Sequence, residues 1–129
     1  MNLKIVVRPF LAGLLMFLST TLLQAQEGHP LHGSWSGNRT VDGQSSRLLV
    51  VMELQRDQSI TGYIIENRKQ VPLKGVVLNP DDWTVSMSLA DDSYAFNGRI
   101  GDLGSAAGRT IEGRWTDGRN SGDFHLQIN

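Results

Sequence analysis

Trp83-Thr84-Val85-Ser86-Met87-Ser88-Leu89, closed by Ala90-Asp91-Asp92, decides the fold. Large apolar residues alternate strictly with small polar ones. Successive side chains of an extended strand point to opposite faces, so this spacing puts Trp83, Val85, Met87 and Leu89 on one face. A helix would scatter them around its circumference. The aspartate pair then supplies turn chemistry, because Asp readily bonds its own backbone.

The same alternation continues in both directions. It recurs in Leu48, Val50, Met52 and Leu54; in Ile60, Gly62 and Ile64; and in Val71, Leu73, Gly75 and Val77. Downstream it returns in Tyr94, Phe96, Gly98 and Ile100; in Ile111, Gly113 and Trp115; and in Gly122, Phe124, Leu126 and Ile128. With a first strand around Trp35, eight strands are expected. The intervening turns, such as Asp57-Gln58, Asn67-Arg68-Lys69 and Asp117-Gly118-Arg119-Asn120, are too short for parallel crossovers. The expected fold class is therefore all-β, an antiparallel up-and-down meander of about eight strands. Setting Asp117 to Asn120 as the last loop places Arg114 opposite Asp123 and Glu112 opposite His125.

Five phrases place Gly two residues after an apolar residue: Trp35-Ser36-Gly37, Ile60-Thr61-Gly62, Leu73-Lys74-Gly75, Phe96-Asn97-Gly98 and Ile111-Glu112-Gly113. Inward glycines let strands bend and let the opposite wall approach, as a narrow barrel requires. Closure into a small barrel is expected over the alternative, an open sandwich with scattered bulges.

Composition narrows the rest. The 129 residues are 40% hydrophobic, too apolar for a disordered chain. A net charge of -1 gives no electrostatic footprint for nucleic acid. The absence of cysteine excludes disulfide staples, thiolate metal clusters and a cysteine nucleophile. Lys4 and Arg8 precede an apolar run from Phe10 to Leu23, and Leu23-Gln24-Ala25 resembles a cleavage site. Residues 1–25 are read as a signal peptide, 26–32 as a flexible leader and 33–129 as the barrel domain. The run is shorter than the roughly 20 apolar residues of a membrane span. A secreted or periplasmic protein is expected, with no membrane span after processing.

Gly33-Ser34-Trp35, heading the first strand of such a meander, resembles the calycin barrels, the group that includes lipocalins and avidins. Ile60-Thr61-Gly62 is similar to a phrase found in avidins. The resemblance is one of architecture. It implies that Trp35 plugs one end of the barrel and that an arginine from a late strand, Arg114 or Arg119, covers it.

Two surfaces are candidates for function. Inside, Trp35, Trp83, Tyr94, Phe96, Trp115 and Phe124 are either a packed core or the walls of a pocket for a small apolar ligand, with Trp35, Trp83, Phe96, Trp115 and Phe124 the pocket candidates. No inward charged residue is expected. Outside, Leu49, Val51, Tyr63, Ile65, Val76 and Leu78 share an outward phase on strands 2 to 4, an apolar face that soluble monomers seldom leave bare. The favoured function is a non-enzymatic exported binding module that meets a protein partner or itself through this face. The alternatives are a carrier of a small apolar ligand and, less favoured, a secreted hydrolase or metal enzyme. No catalytic residue, metal ligand set or cofactor is expected. His29-Pro30-Leu31-His32 lacks a third ligand and a fixed geometry, Asp81-Asp82 and Asp91-Asp92 sit at turns, and His125 has no triad partners.

Overall fold

A computed structural model describes residues 29–104 and 107–129. The expected signal peptide, residues 1–25, and residues 26–28 of the expected leader lie outside the described residues. From Leu31 onward the chain forms one compact unit. Its eight strands are β1 (Gly33–Val41), β2 (Gln44–Leu54), β3 (Ile60–Glu66), β4 (Lys69–Asn79), β5 (Thr84–Leu89), β6 (Ala95–Gly101), β7 (Thr110–Thr116) and β8 (Ser121–Ile128). Each pairs antiparallel with the next, and β1 pairs with β8, so the sheet is a closed barrel. The meander and its closure are as the alternation implied. The closed eight-strand meander is consistent with a calycin-like architecture.

Inward positions hold the core. Trp35, Val50, Met52, Ile64, Val85, Met87, Phe96, Ile111 and Leu126 are almost wholly buried. Phe124 crosses the narrow waist, where Gly98 faces Gly113 between β6 and β7. A Cβ on Gly113 would overlap the Asn97 carbonyl oxygen, and one on Gly98 would lie 2.8 Å from the Phe124 ring. The glycine pair is thus what lets an aromatic ring lie across the wall. Phe96 meets Phe124 edge-on with centroids 4.7 Å apart, a favourable aromatic geometry. The waist is filled by these rings.

One end of the barrel is closed by Trp35, whose indole Nε1 donates to the Leu31 carbonyl at 2.9 Å. Leu31 itself is 0% exposed. His32 Nδ1 accepts from the Leu54 backbone N–H at 3.2 Å. Residues 31 and 32 therefore belong to the closure of the barrel, which corrects their assignment to a flexible leader. A buried indole needs a partner for its N–H, and the turn before β1 supplies it. Neither Arg114 nor Arg119 covers Trp35. Arg114 is on the outer face, paired with Asp123 at 2.8 Å, and Arg119 stands in the loop at the other end. The late arginine at the Trp35 end is Arg109, whose carbonyl accepts from Ile128, the strand partner of Trp35.

Two further corrections concern phase. Leu73 pairs with Leu89 but Gly75 pairs with Ser88, so Lys74 is an extra residue, a β-bulge. Beyond it the phase inverts: Gly75 faces outward, Val76 and Leu78 pair with Met87 and Val85 and pack against the core, and Val77 is 64% exposed. Val76 and Leu78 are thus removed from the expected outer face. Trp83 is the second case. It precedes β5 with φ of +60°, its N–H bonded to the Asn79 carbonyl and its carbonyl accepting from Ile100. That turn breaks the alternation and leaves Trp83 at the surface, 38% exposed.

The last hairpin has the register set from its loop: Arg114 faces Asp123 and Glu112 faces His125. Both pairs are exposed, and each is expected to contribute only about 0.2–1 kcal/mol.

Replacing Trp35 by Ala removes the ring that seals one end together with its bond to Leu31. Chemical denaturation should register a loss of about 3–5 kcal/mol, the range for truncating a large buried aromatic. A loss under about 1 kcal/mol would show that Trp35 does not carry the closure.

Candidate functional site

The opposite end of the barrel is open. There the turns β1–β2, β3–β4, β5–β6 and β7–β8 surround a cavity of about 420 Å³. Its floor is apolar, made by Ile64, Val71, Leu89 and Trp115. Its rim is polar: Asp42, Asn67, Lys69, Asp91, Ser93, Asp117 and Asn120. For scale, an apolar cavity of about 150 Å³ holds one benzene.

Two charged side chains stand between floor and rim. Arg39 shares the inward phase of Trp35 and Gly37 on β1, and Glu66 that of Gly62 and Ile64 on β3. Glu66 Oε2 accepts from Arg39 Nε at 2.8 Å and from the Ser46 hydroxyl at 2.7 Å. Oε1 accepts from Arg39 Nη2 at 3.0 Å and from the Tyr94 hydroxyl at 2.9 Å. The fork of the guanidinium thus meets the carboxylate with two parallel bonds, the strongest geometry for such a pair. Both side chains are nearly withdrawn from solvent, 14% and 11% exposed.

Arg39 also lies in the corner between two aromatic rings. Its guanidinium carbon is 3.8 Å from the Tyr94 ring centroid and 4.5 Å from that of Trp115. The two rings meet at 69° with centroids 6.1 Å apart. A weakly hydrated planar cation is well suited to such faces. Trp115 is held in turn by its Nε1, which donates to the Thr40 carbonyl at 2.9 Å. Reaching Thr40 from β7 means crossing β8 at Gly122, where a Cβ would lie 2.7 Å from the indole nitrogen. Only glycine admits that passage. Strands β1, β2, β3 and β7 and the β5–β6 turn are thereby tied into one polar knot.

Burial raises the Glu66 carboxyl pKa, but the bonds from Arg39, Ser46 and Tyr94 outweigh it and hold the group below its ordinary value of 4.5. The Tyr94 phenol is pushed upward by burial and by the Glu66 charge, so it remains protonated as a donor. Each Glu66 oxygen already accepts two hydrogen bonds. A carboxylate so saturated and so acidic is a weak proton acceptor.

Of the interior aromatics singled out from the sequence, Tyr94 and Trp115 line this cavity. Trp35, Phe96 and Phe124 are packed into the core and Trp83 lies at the surface. Leu49, Val51, Tyr63 and Ile65 do face outward, half-buried, as the cross-strand pairs Leu49–Ile65 and Val51–Tyr63. The expectation that no inward residue is charged is overturned by Arg39 and Glu66. Continuing the alternation of β1 past Gly37 and of β3 past Ile64 would have placed both inward, while their mutual approach depends on the registers of the β1–β2 and β2–β3 hairpins. No family model, curated protein or solved structure matches the chain.

Removal of the Glu66 charge by Glu66→Gln leaves Arg39 without its counter-ion and should cost about 1.5–3 kcal/mol near neutral pH. Because the folded pKa is depressed, the Glu66 contribution is complete above the ordinary value and fades as pH falls through the lowered one. Denaturation followed as a function of pH should therefore show the wild type and Glu66→Gln drawing together as pH falls below the ordinary carboxyl range. Parallel curves over the whole range would refute the assignment.

Proposed function

We propose that the protein is a non-catalytic exported binding module whose site is the open mouth of the barrel. The observation that carries this reading is the knot of Arg39, Glu66, Tyr94 and Trp115 beside a cavity of about 420 Å³. A charged pair so deeply withdrawn from water is difficult to justify on stability, since well-packed apolar residues of similar volume serve as well or better. What it provides is a rigid, preorganised polar wall above an apolar floor, the usual composition of a small-ligand pocket. Non-catalytic binding is supported by the chemistry of the groups present. Glu66 is saturated, Tyr94 stays protonated, and Arg39 is fixed in place by both.

The cavity is amphipathic, so the ligand proposed here differs from the small apolar ligand of the alternative carrier reading. The outer face is favoured less than the sequence alone suggested, because the bulge at Lys74 turns Val76 and Leu78 inward. Leu49, Val51, Tyr63 and Ile65 still make a continuous patch on β2 and β3, which supports a second reading as a contact surface for another protein or a second copy. Under that reading, Val51→Lys with Ile65→Lys should dissociate an oligomer in light scattering and shift Tm by only a few degrees. An unchanged mass would remove it.

The mouth is tested by filling it. Val41 lines the cavity and is partly buried, and Val41→Trp should occupy the space without disturbing the knot. Small molecules extracted from the purified wild type and variant, compared by mass spectrometry, should reveal a species present in the first and lost from the second at similar Tm. Equal content in both would show that the mouth is not the site.

A further inference from the structure

We infer that the mouth takes an uncharged, polyhydroxylated ring, a mono- or disaccharide or the terminal sugar of a glycan. This inference rests on the reading of the mouth as the binding site. It starts from the order in which charge is met along the cavity. The carboxylates Asp42, Asp91 and Asp117 stand at the rim, and the Arg39 guanidinium stands deeper, in its aromatic corner. An anion is opposed by three carboxylates at entry, with only Lys69 among the rim groups to offset them, and Lys69 is already 3.5 Å from Asp91. A cation that passes the rim finds the deep end neutral, since Arg39 is already paired with Glu66, and gains no counter-charge there. Neither sign of charge is matched along the whole depth.

Hydrogen-bond capacity points the same way. Arg39 commits Nε and Nη2 to Glu66, while Nη1 carries no hydrogen bond among the described residues. The deep end therefore offers donors and the rim offers carboxylate acceptors, with the carboxamides Asn67 and Asn120 able to do both. A hydroxyl is the smallest uncharged group that accepts from a guanidinium and donates to a carboxylate, and it does both through a single atom. A ring bearing several hydroxyls presents them around its edge and leaves C–H faces for the apolar floor of Ile64, Val71 and Leu89. The volume fits one to two such rings, judged by the roughly 150 Å³ that holds benzene.

The experiment is a titration of the isotope-labelled protein followed by two-dimensional NMR. The three tryptophans give separate indole signals, of which Trp115 reports the mouth and Trp35 the closed end. The probes are methyl glucoside, methyl galactoside, methyl mannoside, N-acetylglucosamine, maltose, lactose and diacetylchitobiose. Glucuronate and glucosamine serve as charged counterparts of the same shape. At least one neutral sugar should move the Trp115 indole and leave that of Trp35 in place, with a Kd below about 10 mM that is insensitive to salt. Both charged counterparts should bind at least tenfold more weakly. Asp42→Asn and Asp117→Asn, at exposed positions, should each weaken the sugar severalfold with unchanged Tm. If no neutral sugar moves Trp115, or if glucuronate or glucosamine binds as well as its neutral counterpart, the ligand class is overturned. The mouth itself is judged separately by the extraction with Val41→Trp. A ligand lost from that variant while the sugars fail would leave the mouth standing and remove only the saccharide.

Discussion

Closure between β1 and β8 is the constraint on which the rest of the molecule depends. Eight strands curled on themselves leave an interior barely wide enough for side chains, so every inward position competes for the same space. Glycine at Gly98 and Gly113 yields room that Phe124 takes, and Gly122 yields the passage by which the Trp115 indole reaches Thr40. Those concessions fill the waist and leave free volume at one end. The cavity is thus a product of closure. The turn before β1 seals the Trp35 end, and nothing comparable among the described residues caps the other.

The knot at the mouth acts across the sheet, where the hydrogen-bond ladder acts only along it. Ladder bonds join each strand to its two neighbours. Glu66 instead joins β3 to β1 and to the β5–β6 turn, and Trp115 joins β7 to β1 over β8. These cross-braces fix the outline of the opening. Side chains that would otherwise be mobile at a barrel rim are held by partners two strands away, and a rigid rim loses little entropy when a ligand is ordered against it.

Most of the architecture was legible because period-two alternation and turn chemistry are local signals. The run Val85, Met87, Leu89 and the loop Asp117 to Asn120 could be placed without knowing what they touch. What escaped was non-local. The extra residue at Lys74 inverts the phase of β4 and sends Val76 and Leu78 inward, yet Leu73-Lys74-Gly75-Val76-Val77-Leu78 reads equally well in either phase. Trp83 shares the alternation of β5, but its positive φ places it outside the strand. Arg39 and Glu66 go against the expectation that charge stays in water, which left no inward charged residue foreseen. They are inward because the strand phase places them there, and the β1–β2 and β2–β3 hairpins bring two residues 27 positions apart across β2, where each supplies the other's counter-charge.

The pairing of β1 with β8 bears also on the order of assembly. Every other strand pair is a hairpin between neighbours in sequence, and hairpins form early and fast. The β1–β8 seam joins Trp35 to Ile128 and Arg39 to Phe124, so its loop-closure entropy spans nearly the whole described chain. Until β8 arrives, β1 and β7 each present an unpaired edge, the state in which a meander is most exposed to pairing with other chains. The seam is therefore the slow step and the aggregation-sensitive one. Once it is made, the described sheet has no edge left for a foreign strand to extend.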